Sequence, residues 1–203
     1  ILWDSVNNRF VLLDENGGVK DVLVDPQFSG ECNVCLDMFV ISKDFLKKII
    51  TGAASRNQYS FIRDVLQAKK NEYKIYGYEH KNYFTKIDSI QSFYEANMAL
   101  LKTENRNELF RKDLPIYTKI GDNGPVKYGL ESNIKNSLIA DGCIIEGTVE
   151  NCVLFRGVKI GKNAVVRNCV LMQGTEIADG CSIDSIVADK NVTISENRVL
   201  TGS

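Results

Sequence analysis

Between Asn136 and Val199 the chain repeats itself, and no other feature narrows its possible folds as far. The phrases Asn136-Ser-Leu-Ile139, Asn151-Cys-Val-Leu154, Asn168-Cys-Val-Leu171 and Asp184-Ser-Ile-Val187 follow one another at a near-constant period. Interleaved with them are Ile160-Gly-Lys-Asn-Ala164, Ile177-Ala-Asp-Gly-Cys181 and Ile194-Ser-Glu-Asn197, whose leading isoleucines are evenly spaced. Each period is close to three hexapeptides. An aliphatic residue followed by small or turn-forming ones suits one face of a parallel β-helix coil. A single coil cannot bury its apolar side, so about three or more must stack, and about four are encoded here. Antiparallel hairpins would also give short strands and Asn/Gly turns, but they do not repeat one phrase at near-constant period.

Six cysteines call for a decision between chemistry and packing. Cys152 and Cys169 share a repeat position with Ser137 and, on this phrase alignment, Ser185; a site that exchanges thiol for hydroxyl asks for a small side chain. Cys143 and Cys181 flank turns and read the same way. Cys32 and Cys35 form a CxxC, which suits a redox pair or half a zinc site, but no second CxxC follows and His80 is the sole histidine. The expectation is a reduced, cytoplasmic protein without a metal site. A net charge of −1, with no long run of one sign, argues against nucleic-acid or anionic-membrane partners. No apolar run approaches the roughly 18 residues that span a bilayer. Ile1 in place of a methionine leads to the expectation of a piece of a longer chain.

Ahead of the repeats, Phe10–Leu13 and Val19–Val24 read as a hairpin across Asp14-Glu-Asn-Gly-Gly18. Cys35–Ile41 reads as a strand leading to Ser42, the N-cap of a helix with Phe45, Leu46, Ile49 and Ile50 on one face and Gly52 at its end. Ser60 opens a second helix, and Tyr73–Tyr78 and Tyr83–Ile87 read as strands from their aromatic and β-branched content. Ser89 caps a third helix, with Ile90, Phe93, Asn97, Leu100 and Leu101 inward. The pattern predicts part of an α/β domain over residues 1–103, a polar linker over 104–125, and the β-helix over 126–203.

Three stretches carry a family resemblance: Ile90-Gln-Ser-Phe-Tyr-Glu-Ala-Asn-Met-Ala-Leu-Leu101, Leu114-Pro-Ile-Tyr-Thr118, and Asn151-Cys-Val-Leu-Phe-Arg-Gly-Val-Lys-Ile-Gly161. They resemble the bacterial glucose-1-phosphate adenylyltransferases, over nearly the whole chain. The resemblance implies the C-terminal part of a Rossmann-like nucleotidyltransferase domain followed by a left-handed parallel β-helix. It also implies that the glycine-rich loop for the nucleoside triphosphate lies outside this sequence, so that no catalytic residue is expected within it.

Active relatives carry Gly-Tyr-Trp-Arg-Asp-Val-Gly-Thr before the third helix, and its Asp helps to bind Mg²⁺. The aligned stretch is Asn82–Ser89, so Lys86 stands where the metal carboxylate would be, and an ammonium cannot coordinate a cation. The Asp-Phe-Gly-Lys-Asp-Ile-Ile-Pro phrase aligns with Ser60–Gln67, retaining Asp64. The Ser-Met-Gly of the sugar site aligns with Cys35-Leu36-Asp37, which puts a carboxylate where a glycine approaches substrate. Cys35, Asp37, Asp64 and Lys86 are therefore expected to mark a degenerate sugar-phosphate and metal site, with no cofactor held by this stretch.

This pattern resembles the GlgD-type subunit, the partner of a catalytic GlgC-type subunit. It implies a regulatory or assembly subunit, catalytically weak or inactive, in the making of ADP-glucose from ATP and glucose 1-phosphate for glycogen. A homo- or hetero-oligomer is implied, with sugar-phosphate or nucleotide effectors. Arg156 and Lys159 are candidate effector contacts, or else solvated charges on an exposed face. A competent adenylyltransferase with an unusual sugar site is the alternative. A hexapeptide acyltransferase is more remote, since those enzymes use a histidine near the β-helix and His80 lies ahead of it.

Overall fold

The computed structural model describes residues 9–24, 33–118 and 121–202. The chain divides into two compact units, residues 1–81 and 82–203.

In the first unit, Arg9–Leu13 pairs antiparallel with Val19–Val24, and Asn33–Val34 adds to the other edge of Arg9–Leu13. Asp14 organises the turn: its Oδ1 accepts the amides of Asn16 and Gly18, each at 2.8 Å, while Gly17 takes φ 79°. Helix Lys43–Ala54 starts after Ser42, whose backbone is extended as an N-cap requires but whose hydroxyl makes no capping bond. It continues past Gly52, where the sequence suggested its end. Of its expected apolar face only Ile49 is buried, and Phe45 rests edge-on against Tyr73 at 4.9 Å between ring centres. The helix expected after Ser60 is a π-helix, Phe61–Gln67, with the Ala68 amide donating to the Arg63 carbonyl five residues back. Its Gln67 Nε2 donates to the Val22 carbonyl at 2.9 Å, and Lys70 meets Asp21 at 2.6 Å, which fastens the π-helical segment to the hairpin.

Three sequence expectations are corrected here. Cys35–Ile41 forms no strand, and regular pairing stops at Val34. Tyr73–Tyr78 reduces to one bridge, Tyr76 opposite Gly18, and Tyr83–Ile87 forms no strand. Aromatic and β-branched content favours a strand only where a neighbouring edge is free to pair.

The second unit begins with two helices and continues as a parallel β-helix of about four coils. Ser89 caps helix Ile90–Ala99 through a reciprocal pair of bonds with Ser92. Ala96 is its buried residue, whereas Ile90, expected inward, is 77% exposed. Part of the expected linker is helical, Thr103–Leu109. Its polar side chains have a structural use: Arg106 Nη1 donates to the carbonyls of Leu100 and Leu101 at 2.6 and 2.8 Å, and Asn105 Nδ2 to that of Ala99 at 2.8 Å. They satisfy the carbonyls of Leu100 and Leu101 just past the preceding helix and add a second bond to that of Ala99, which also accepts the Lys102 amide.

From Lys127 to Thr201 three parallel sheets of five, five and four short strands form the faces of the β-helix. Partners stand one coil apart in the chain, so like stacks on like: Ile145, Ile160 and Ile177 on one face, Val149, Val166 and Ile183 on the second, Leu154, Leu171 and Ala188 on the third. These columns are buried and form one core. The corners are stacked too. Asn136, Asn151, Asn168 and Ser185 all lie in the left-handed region, with φ between 42° and 56°. The last copy of the repeat therefore aligns one residue later than its wording suggests: Ser185, not Asp184, matches Asn168, and Arg167 pairs with Asp184.

Asp184 nonetheless completes the corner's side-chain ladder. Asn136 Nδ2 donates to Asn151 Oδ1 at 2.8 Å, Asn151 Nδ2 to Asn168 Oδ1 at 3.4 Å, and Asn168 Nδ2 to Asp184 Oδ1 at 3.1 Å. The amides thus bond to one another along the stack, not to the turn backbone. Inside the corner, Ser137 Oγ and the Cys152 and Cys169 thiols each donate to a carbonyl two residues back. Ser137 Oγ and Cys152 Sγ also accept the amide of the next coil, at 3.1 and 3.4 Å. Hydroxyl and thiol are interchangeable because both fill this paired role; the fourth coil has Ile186 there. Thr175 and Cys143 likewise share one role, donating to the carbonyls of Asp189 and Phe155 at 2.9 and 3.2 Å.

One corner is shorter than its neighbours. Glu146-Gly147 joins two strands where the next coil uses Gly161-Lys-Asn-Ala164, so the chain takes a tighter path there. A Cβ on Gly147 would stand 2.4 Å from the Ala164 carbonyl oxygen and 2.7 Å from that of Gly161. Gly147→Ala is therefore expected to destabilise the protein by roughly 2–3 kcal/mol through overpacking against rigid backbone, read as a lower thermal midpoint. A second prediction concerns acid. The Asn168 amide, then the Ser185 hydroxyl, hold the Asp184 carboxyl below its ordinary value. A carboxyl depressed on folding contributes stability that is present above the unfolded-state value and is lost as pH falls through the folded one. The thermal midpoint should drop as pH falls below about 4, and Asp184→Asn, which keeps an acceptor for Asn168, should flatten part of that drop.

Candidate functional site

The residues expected to mark the sugar-phosphate and metal site fall in both units, Cys35, Asp37 and Asp64 in the first and Lys86 in the second. Asp37 is exposed and adopts φ 56°. The family resemblance puts a glycine at this position, and the backbone here keeps a glycine-like conformation that aspartate tolerates better than most residues. What changes is the side chain, a carboxylate in place of a hydrogen atom. Cys35 is half-buried two residues earlier, and Cys32, the other half of the CxxC, lies outside the described residues.

Asp64 sits in the π-helix and turns back over its start. Its Oδ2 accepts the backbone amides of Tyr59 and Ser60 at 3.0 and 2.9 Å, while Ser60 Oγ accepts the Arg63 amide at 3.2 Å. The carboxylate retained from the family phrase is thus occupied in capping its own element. Its Oδ1 is the atom left for a ligand.

Lys86 Nζ lies 3.6 Å from Asp88 Oδ2. Asp88 Oδ1 also accepts from the Ser92 hydroxyl at 3.3 Å, which links the pair to the cap of helix Ile90–Ala99. A family Mg²⁺ would meet an ammonium and one carboxylate already shared between Lys86 and Ser92. That donor set does not fit a divalent cation, which takes oxygen ligands and would be repelled by Lys86. Among the described residues no group of three His, Cys, Asp or Glu comes together as a metal cage.

The candidate effector residues lie on one coil of the β-helix. Lys159 is exposed and pairs with Glu176 of the next coil at 2.6 Å; Arg156 is half-buried beside the corner at Gly157, and its carbonyl accepts the Gly174 amide. The four β-helix cysteines are buried. Burial pushes the Cys143 thiol up, and the Cys152 thiol beside it, with burial, pushes Cys169 up further. Cys143 and Cys169, held protonated in the interior, are packing groups, in line with the sequence reading. His80 is exposed in the first unit.

Two features were not visible in the sequence. Tyr94, inside the SFYEANM phrase, donates its hydroxyl to the Asn168 carbonyl at 3.0 Å, tying the helix to the corner ladder. Burial raises its phenol, which keeps the donor protonated. The second is a cavity of about 340 Å³ in the first unit, between helix Lys43–Ala54 and the π-helical segment, rimmed by Lys48, Arg56 and Lys69. These cations are scattered along polar faces in sequence and come together only by helix packing.

The family profile for the GlmU-like C-terminal hexapeptide matches residues 126–201. The glycogen biosynthesis protein GlgD of Bacillus subtilis is 38% identical over 168 residues, which covers 83% of this chain and 49% of the relative. The GlgD protein of Geobacillus stearothermophilus is 42% identical over 131 residues, 64% of this chain and 38% of the relative. A glucose-1-phosphate adenylyltransferase of Mycoplasma mobile is 32% identical over 164 residues, 78% of this chain and 43% of the relative. The chain spans about half the length, or less, of these curated relatives. No helix among the described residues is long and apolar enough to cross a membrane.

Replacing Asp64 by Ala is expected to destabilise the protein by about 1–2 kcal/mol, through two backbone amides left without an acceptor, whereas Asp64→Asn should retain most of the stability. Denaturant unfolding of the two variants separates this capping role from a purely ligand-binding one. The repeat architecture, the SFYEANM helix docked on it and these matches agree: over most of its length the chain is similar to GlgD-type proteins and to glucose-1-phosphate adenylyltransferases.

Proposed function

We propose that the chain is the C-terminal part of a GlgD-type subunit that assembles with a catalytic glucose-1-phosphate adenylyltransferase and supports, without itself performing, the synthesis of ADP-glucose for glycogen. The observation that carries this reading is the Lys86–Asp88 pair, 3.6 Å apart, at the position where active relatives present a metal-binding carboxylate. Transfer between a nucleoside triphosphate and a sugar phosphate brings two polyanions together, and the metal ordinarily offsets that charge while orienting the reacting groups. Lys86 supplies charge but no coordination geometry, and its charge is already engaged by Asp88. Asp37 adds a carboxylate where the substrate phosphate would come close to backbone, which repels it. Asp64 is taken up in capping.

The β-helix supports the assembly part of the reading. Its coils are rigid, its corners are fixed by ladders, and such a prism gives a partner subunit a surface of constant shape.

The test is pyrophosphate release from ATP and glucose 1-phosphate by the full-length subunit, alone and mixed with the catalytic subunit. Alone, it should turn over at least about a hundredfold more slowly than the mixture, a difference of about 2.7 kcal/mol in barrier. Turnover by the isolated subunit at ordinary enzyme rates would favour instead a competent adenylyltransferase with an unusual sugar site. Lys86→Asp in the full-length subunit should leave it inactive, because Asp37 persists; robust turnover from that single change would contradict a pocket altered at several points.

A further inference from the structure

We infer that Asn123 is a site of spontaneous covalent modification: its side-chain amide cyclises onto the Gly124 nitrogen and reopens to aspartate and isoaspartate, at the point where the chain enters the β-helix. The inference is independent of the function proposed above. The chain contains two Asn-Gly steps, Asn16-Gly17 and Asn123-Gly124. A glycine after asparagine puts no side chain in the way of a five-membered ring, so both steps qualify by sequence. The structure separates them.

At Asn16-Gly17 the reacting groups are held. The Gly17 nitrogen donates to the Asp14 carbonyl at 3.0 Å, and the backbone amides of Asn16 and Gly18 both donate to Asp14 Oδ1 at 2.8 Å. Asn123 and Gly124 are exposed, and neither the Asn123 side-chain amide nor the Gly124 nitrogen makes a hydrogen bond among the described residues. There is room for the ring as well. A Cβ on Gly124 would meet nothing within 4 Å. The Asn123 side chain lies against two further glycines: its Nδ2 is 2.8 Å from where a Cβ on Gly121 would be, and its Cγ is 3.7 Å from where one on Gly142 would be. Arg156 Nη1 approaches the same point on Gly121, at 3.4 Å. A cation beside the amide favours the negative oxygen that develops as the ring forms.

In the reaction the Gly124 nitrogen bonds to Asn123 Cγ while its proton passes through water to the leaving nitrogen; the Cγ–Nδ2 bond breaks and ammonia departs, leaving a succinimide. Water then opens the ring. Addition at Cγ breaks the new bond and gives aspartate on a normal backbone. Addition at the Asn123 backbone carbonyl breaks the original peptide bond, so the chain runs through the side chain as isoaspartate. One water is consumed and one ammonia released, and nothing is oxidised or reduced. Either product brings a negative charge towards Arg156, but only isoaspartate lengthens the main chain, by one methylene. The Gly124 carbonyl accepts the Gly142 amide at 2.7 Å, and the bonds from Gly157 to Asp141, Gly174 to Arg156 and Asn191 to Gln173 continue that column through the later coils. The extra methylene therefore falls immediately before the acceptor on which the column begins.

Mass spectrometry of the full-length protein held at mildly alkaline pH, native and in denaturant, tests the site, with fragmentation that distinguishes isoaspartate from aspartate. In the native protein Asn123 should convert at least about tenfold faster than Asn16, a barrier difference of about 1.4 kcal/mol. In denaturant, where Asp14 no longer holds Gly17, the two rates should converge to within about threefold. Gly124→Ala, which the open space accommodates, should slow the native conversion about tenfold by crowding the ring. Converted protein should exchange its Gly142 amide with deuterium faster than the parent. The assignment is overturned if Asn16 keeps pace with Asn123 in the native protein, if Gly124→Ala changes nothing, or if the amide is lost to aspartate without isoaspartate, the mark of direct hydrolysis. Unchanged exchange at Gly142 in the converted protein would overturn the effect on the corner column.

Discussion

A coil that closes on itself at three corners, and is then stacked on copies of itself, bends the backbone the wrong way at most of the same places from coil to coil. Asn136, Asn151, Asn168 and Ser185 take that conformation at one corner, and Gly142, Gly157, Gly174 and Asn191 at another. Asn163, Gly180 and Asn197 do so at the third. For residues other than glycine the left-handed region costs about 1 kcal/mol or more each, and asparagine is among the few that tolerate it. At the first corner the amide ladder from Asn136 to Asp184 offsets that strain with side-chain bonds. Everything inside the prism depends on those corners keeping their register, because only then does Ile160 meet Ile145 below and Ile177 above.

The β-helix was legible in the sequence because stacking turns structural equivalence into a repeated phrase. Where the reading slipped, the cause is chemical mimicry. Asp184 resembles the asparagines and reaches the same ladder, but from one residue earlier in the chain. Similarity of side chains pointed to Asp184, whereas the backbone bend falls at Ser185. The first part of the chain was less legible. Tyr83–Ile87 has strand-like composition and joins no strand among the described residues, and Thr103–Leu109 looks like a polar connection. The polarity of that helix is explained by the carbonyls of Ala99, Leu100 and Leu101, which Asn105 and Arg106 satisfy, a demand that exists only once the helices are in place.

The candidate site was legible in one sense only. The sequence marks where family residues are replaced, but not what the replacements do. Asp37 keeps a glycine's backbone angle while bringing a charge, so the fold survives a substitution that alters the surface offered to a ligand. Asp64 looks retained for chemistry and is bound up in capping. Lys86 looks like a lost ligand and has acquired a partner, Asp88, joined in turn to the Ser92 cap. The cavity cations escaped notice for the opposite reason: singly, each is an ordinary charge on a polar face.

The short and nearly even chain distance between stacked strands has a consequence in time as well as in space. Each coil finds its partner after closing a loop of almost constant length, and the chain-entropy penalty for such a closure grows only logarithmically. No strand pairing in the prism waits for a distant segment, so coils can be laid down one on the next, each using the last as its template. The Tyr94 hydroxyl is the exception, reaching across 74 residues to Asn168. The docking of its helix therefore requires the third coil to be in register first, and does not wait for the coil beyond it.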